Sequence, residues 1–210
     1  MKTVLFQGDS ITDAGRYRDD DTKSGLGYPT LVKGELGFDY PNQYVMINKG
    51  ISGNRVVDLY ARIKVDFINL KPDVISILIG VNDVWHEFGA HNGVDAEKYF
   101  KVYSMLIEEL KAALPDVKIM ILEPFVLKGS GTEAHWDRFQ DEVQKRAQKA
   151  KRIAEKYNLY FVPLQEKFDE AAKLAPNDYW LQDGVHPTTA GHEIIKREWI
   201  KCFRKMEGLK

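Results

Sequence analysis

Thr3-Val4-Leu5-Phe6-Gln7-Gly8-Asp9-Ser10-Ile11 begins as a short apolar run and breaks at a glycine, an acid and a serine. A run of that length, closed by turn-forming residues, reads as a buried strand that ends in a loop. Four more such runs follow, at residues 44–48, 74–79, 117–122 and 159–162. None alternates apolar with polar residues, so each is expected to be covered on both faces, as strands of a parallel sheet are.

Helical patterns separate the runs. Trp136, Phe139, Val143, Ala147, Ala150, Ala154 and Tyr157 step by three or four along one face, and Lys, Arg, Glu and Gln fill the other. A second helix is expected after Asp95 as N-cap, with Tyr99, Val102, Tyr103, Leu106 and Leu110 facing inward and an end near Pro115. A third follows Arg55. The last begins near Thr188 or Thr189 and is expected to bury Ile195, Trp199 and Cys202. Strand and helix in alternation require right-handed crossovers, which place helices on both faces. The expected fold is a three-layer α/β/α sandwich around a five-stranded parallel sheet, flavodoxin-like, as a single domain over residues 1–210.

The chain's 210 residues, 44% hydrophobic, suffice to bury a core without staples. A net charge of −1 gives no positive field for phosphate contacts, so nucleic acid is not an expected partner. The single cysteine, Cys202, cannot form an internal disulfide, and the N-terminal apolar run is too short for a signal peptide or a membrane span. The expectation is a cytoplasmic protein without a membrane partner.

In open α/β sheets, ligands bind beyond the carboxyl ends of the strands. Four motifs fall in that layer: Gly8-Asp9-Ser10-Ile11, Gly53-Asn54, Gly80-Val81-Asn82-Asp83 and Asp183-Gly184-Val185-His186. Taken singly, Gly-Asp-Ser marks a turn or a helix cap, and Asp183-Gly184 is a ready turn. Taken together, they supply a serine nucleophile, a base and an acid to orient it. Ser10 needs an imidazole to take its proton, and Asp183 and His186, three apart in a Gly- and Pro-punctuated loop, can fold into one acid-base unit. Asp9 and Asp83 are expected to hold loops by accepting backbone hydrogen bonds.

In this order the motifs resemble those of the SGNH (GDSL-type) hydrolases. The serine stands in Gly-Asp-Ser rather than Gly-x-Ser-x-Gly, unlike the usual α/β-hydrolase elbow. The segments at residues 48–54 and 79–85 are similar to those of intracellular acetylxylan esterases. The resemblance implies a catalytic set of Ser10, Asp183 and His186. It also implies an oxyanion hole made by the N–H groups of Ser10 and Gly53 and the Asn82 side-chain amide. The implied reaction removes acetyl groups from sugar hydroxyls through an acyl-enzyme, without metal or organic cofactor, often in a homo-oligomer.

Trp85, Tyr179 and Trp180 lie near Asn82 and Asp183 in sequence and are candidate walls of the substrate pocket, the alternative being ordinary aromatic core. His86, His91, His135 and His192 are scattered without metal-ligand spacing, and read as surface or supporting histidines. Asp19-Asp20-Asp21 reads as solvated loop, and the charged segment 13–27 as a candidate cover for the site or a contact between subunits. Two rival functions remain: a GDSL-type lipase, lysophospholipase or thioesterase using longer acyl chains, and a noncatalytic α/β binding module. No Gly-x-Gly-x-x-Gly turn or Walker loop follows the first strand, which argues against nucleotide binding.

Overall fold

The computed structural model describes residues 1–209. Its strands are β1 (Lys2–Gly8), β2 (Tyr44–Asn48), β3 (Val74–Leu78), β4 (Lys118–Leu122) and β5 (Tyr160–Val162). All pair in parallel, in the order β2-β1-β3-β4-β5. The chain adds β2 on one side of β1 and β3 on the other, so the direction of winding reverses there. That switch point leaves a crevice beyond the strand ends. Gly8 pairs with Leu78, which brings β1 and β3 out at the same level.

The helices are α1 (Ser10–Asp13), α2 (Tyr28–Asp39), α3 (Val56–Ala61), α4 (Ile63–Asp66), α5 (Val81–Ala90), α6 (Ala96–Ala113), α7 (Trp136–Tyr157), α8 (Gln165–Ala171), α9 (Asn177–Trp180) and α10 (Thr189–Glu207). Successive residues of β1 serve opposite faces, as the period of a strand requires. Val4 and Phe6 join a core with Tyr28 and Leu36 of α2 and Trp199 and Phe203 of α10. Leu5 joins a second core with Leu59 of α3, Tyr103 and Leu106 of α6, and Ile153 of α7. The helices therefore cover both faces, as the sandwich requires.

Local chemistry sets the helix starts. The Asp95 side chain accepts the Lys98 N–H at 2.9 Å, and the Thr188 hydroxyl accepts the Gly191 N–H at 3.2 Å. α2 was not anticipated, although Tyr28, Val32 and Leu36 recur at four-residue spacing and are all fully buried. In α10, Ile195 and Trp199 are buried as expected, and the Trp199 indole donates to the Ser76 hydroxyl at 2.8 Å inside the sheet. Cys202 departs from expectation. It is only half-buried, at the wall of a surface groove along β5, the strand that ends the sheet. Among the described residues, no helix is long and apolar enough to cross a membrane.

Candidate active site

β1 ends where side chains no longer fit. A Cβ on Gly8 would lie 2.3 Å from the Leu78 carbonyl oxygen and 2.5 Å from the Thr12 hydroxyl, so only glycine lets β1 leave the sheet so close to β3. Asp9 follows, its carboxylate accepting the Ile11 N–H at 3.0 Å and starting α1. Burial pushes the Asp9 pKa up to about 7, against the pull of that hydrogen bond. Ser10 is half-buried at the head of α1, and its Oγ lies 2.9 Å from His186 Nε2.

The loop bearing His186 closes on Asp183. One carboxylate oxygen accepts the N–H groups of Val185 and His186 at 2.9 and 2.8 Å, and the other lies 2.7 Å from His186 Nδ1. Burial alone would raise the Asp183 pKa. The imidazole and the two backbone donors outweigh it and hold the carboxyl at about 2. The same bond raises the His186 pKa, although burial works against the imidazolium. With Asp183 ionised, neutral His186 carries its proton on Nδ1 and presents the Nε2 lone pair to Ser10. Residues 127–131 brace this loop: Leu127 N–H donates to Gly184 O and Gly131 N–H to Asp183 O, both at 2.9 Å. Sequence reading missed that brace, which has no motif beyond its glycines.

Gly53 and Asn82 approach from the loops after β2 and β3. Gly53 has φ +82°, in the left-handed region that favours glycine. The backbone N–H groups of Ser10 and Gly53 have no acceptor among the described residues. Asn82, in the first turn of α5, donates one amide hydrogen to Asn54 O at 3.1 Å, which leaves the other for a ligand.

Acidic side chains beneath tie these loops together. Asp13 accepts from the Ser52 N–H and hydroxyl, both at 2.9 Å, and pairs with Arg18 at 2.5 Å. Asp83 is fully buried and accepts the Val56 N–H with both oxygens, at 3.1 and 3.2 Å; burial pushes its pKa up to about 7. Arg62 bonds Asn54 Oδ1 at 2.9 Å. Asp9 and Asp83 thus hold loops, as expected. Asp21 does not fit the reading of a solvated triplet, because it pairs with Arg16 at 3.1 Å and Lys49 at 2.5 Å.

The model of the GDSL-like Lipase/Acylhydrolase family matches residues 6–194. The chain belongs to this family. As a GDSL-like acylhydrolase it is a carboxylic ester hydrolase. It is 37% identical over 205 residues to an acetylxylan esterase of Geobacillus stearothermophilus, covering 94% of this chain and 92% of that one. The crystal structure of that esterase, Axe2, superposes with a TM-score of 0.86 at 36% identity, covering 95% and 93% of the two chains. A crystal structure described as that of a GDSL-like lipase from Parabacteroides merdae gives 0.90 at 37% identity, covering 96% and 94%.

In this GDSL-like hydrolase a groove of about 410 Å³ opens beside Ser10 and His186. Ala14 and Leu26 from the charged segment 13–27 line one wall, and Gln182, Thr189 and His192 line another. Of the three aromatic candidates, only Trp85 stands at the imidazole, its ring 5.7 Å from that of His186 and edge-on to Phe139 at 6.0 Å. Trp180 borders a different groove, with Leu174 beyond α8 and with Ala190 and Ile194 of α10. Tyr179 packs edge-on against Trp180 and is 58% exposed. The reason is local. Trp180 closes α9, whose packing against α10 turns the indole away from Asp183 even though only two residues separate them in sequence. Gln182 and His192 are groove residues that sequence reading missed. The available signal was the start of α10 three residues after His186, which brings the chain back to the same crevice.

Proposed function

We propose that this chain removes O-acetyl groups from carbohydrates, with xylo-oligosaccharides as the substrate class, through an acyl-enzyme on Ser10. The observation that carries the chemistry is the continuous Ser10, His186, Asp183 relay, with contacts of 2.9 and 2.7 Å. His186 Nε2 takes the Ser10 proton as Oγ adds to the acetyl carbonyl carbon. The oxyanion that forms accepts hydrogen bonds from the N–H groups of Ser10 and Gly53 and from Asn82 Nδ2. As the carbonyl re-forms, the sugar C–O bond to the acyl carbon breaks, and the imidazolium gives its proton to the departing oxygen. Water, deprotonated by the same imidazole, then attacks the acetyl-serine; acetate leaves and Ser10 recovers its proton. Asp183 stays ionised throughout and stabilises the imidazolium.

The substrate class rests on near-full-length similarity to an acetylxylan esterase, together with a groove whose walls include Gln182, Thr189 and His192, polar partners suited to hydroxyls. The test is acetate release from acetylated xylo-oligosaccharides by the purified protein, with Ser10→Ala beside it and acetyl and octanoyl p-nitrophenyl esters as comparison. Serine-dependent release, with acetyl ester ahead of octanoyl, is expected. No release from the sugar, with octanoyl faster, would transfer the same relay to a lipase or thioesterase reading.

A further inference from the structure

The groove beside Ser10 contains a histidine that the acyl-transfer steps leave unused. His192 sits in the first turn of α10 and is 7% exposed. Its Nδ1 lies 3.1 Å from the backbone nitrogen of Tyr28. A backbone N–H can only donate, so Nδ1 accepts and the neutral ring carries its proton on Nε2. Burial, reinforced by the neighbouring His186, pushes the His192 pKa down to about 4, which keeps the ring neutral. Gly27 leaves room for the ring at this place, since a Cβ there would lie 3.1 Å from His192 Cε1. Nε2 has no hydrogen-bond partner among the described residues, and His192 lines the groove beside Ser10, which leaves this N–H available to a ligand there.

Position decides which part of a substrate meets that donor. The groove is lined by His186 but by neither Gly53 nor Asn82. An imidazole that returns its proton to the leaving oxygen stands on the side of the departing alcohol. The groove therefore receives the alcohol portion. We infer that the Nε2–H of His192 donates a hydrogen bond to an oxygen of the substrate's alcohol portion, and so selects polyhydroxylated alcohols over simple ones. This inference rests on the carbohydrate esterase reading above. A rigid, largely desolvated donor with no protein acceptor discriminates strongly, because an alcohol without a matching oxygen leaves it unsatisfied.

The two ring nitrogens can be tested separately in the full-length protein. His192→Asn keeps an acceptor for the Tyr28 N–H at the Nδ1 position but cannot reach into the groove, whereas His192→Gln restores a donor at the Nε2 position. For His192→Asn, kcat/KM on acetylated xylo-oligosaccharide should fall about tenfold or more, mainly through KM, while p-nitrophenyl acetate changes by less than about twofold. His192→Gln should recover part of the loss. Equal loss on both esters, or no loss on the sugar, would overturn the inference. Should the variants fail to fold, wild-type protein assayed on deoxy-sugar acetates gives the same reading: one missing hydroxyl must cost a comparable factor, and indifference to every deoxy position would overturn it. Wild-type protein inert to all acetylated sugars would instead overturn the substrate reading, and this inference with it.

Discussion

Asp183 and His186 are three residues apart and bond each other directly, whereas Ser10, Gly53 and Asn82 reach the site from the segments that follow three different strands. The acid-base half is a local structure. Three hydrogen bonds from Val185 and His186 close on one carboxylate, and any chain that forms this turn also forms the pair. The donor half exists only because β1, β2 and β3 pair in register and because Asp13, Asp83 and Arg62 stitch their loops together. Local bonding should make the first half respond to single side chains through chemistry. The second should respond through both chemistry and folding.

The largest effect belongs to the local half. Asp183→Asn should lower kcat by about 10³–10⁴-fold, because the imidazole loses its orienting acceptor and its stabilised cation. The wild-type kcat/KM should lose activity as pH falls through a His186 pKa above the ordinary 6.5, since only the neutral imidazole accepts the Ser10 proton. In the variant that acid limb should move to lower pH. An unmoved limb would show that Asp183 does not set the titration.

Asn82→Ala comes next. Removing one oxyanion donor should reduce kcat by about 10²–10³-fold with KM little changed. A change confined to KM would assign Asn82 to ground-state binding. Asp13→Ala should act more weakly, and on folding as well as chemistry. It frees the Ser52 donors and Arg18, so denaturant unfolding should report a loss of about 1–3 kcal/mol, while kcat falls about tenfold as the Gly53 loop loosens. The acid limb should stay in place, because the Asp183–His186 pair is untouched. A shifted limb would break the division between the two halves.

The last effect falls on stability against pH and leaves the chemistry aside. In the folded chain the Asp9 pKa stands near 7 against an ordinary 3.8, so folding favours the protonated form. That contribution is complete below the ordinary value and is lost as pH rises through about 7. Asp9→Asn keeps an acceptor for the Ile11 N–H and removes the titration, so its melting temperature should fall less steeply across that window. Asp83 has the same upward shift, so the slope should shrink rather than vanish.

What the sequence made legible follows the same division. The strands could be read because they are apolar throughout, and each lies within about one residue of its expected limits, as period and burial allow. Ser10, Asp183 and His186 come together because Ser10 opens the helix that directly follows β1, and Asp183 and His186 share one turn at the same end of the sheet. Other features depend on contacts between distant segments. Asp21 reads as solvated because Lys49, which follows β2, reaches it only after β2 pairs with β1. Trp180 looked like a pocket wall because it adjoins Asp183, but α9 turns it toward α10. His192 looked like one of several scattered histidines until the start of α10 set it beside Tyr28 and the Ser10 groove.

The central claim is that Ser10 is the nucleophile and that His186 activates it. The most direct measurement is treatment of the wild-type protein with a p-nitrophenyl organophosphonate, followed by peptide mass spectrometry, with His186→Ala run in parallel. We expect one adduct, on the peptide containing Ser10 and at that side chain, with labelling slowed by orders of magnitude in the variant. A protein that stays unlabelled while hydrolysing esters, or that carries the adduct on another residue, would contradict the account.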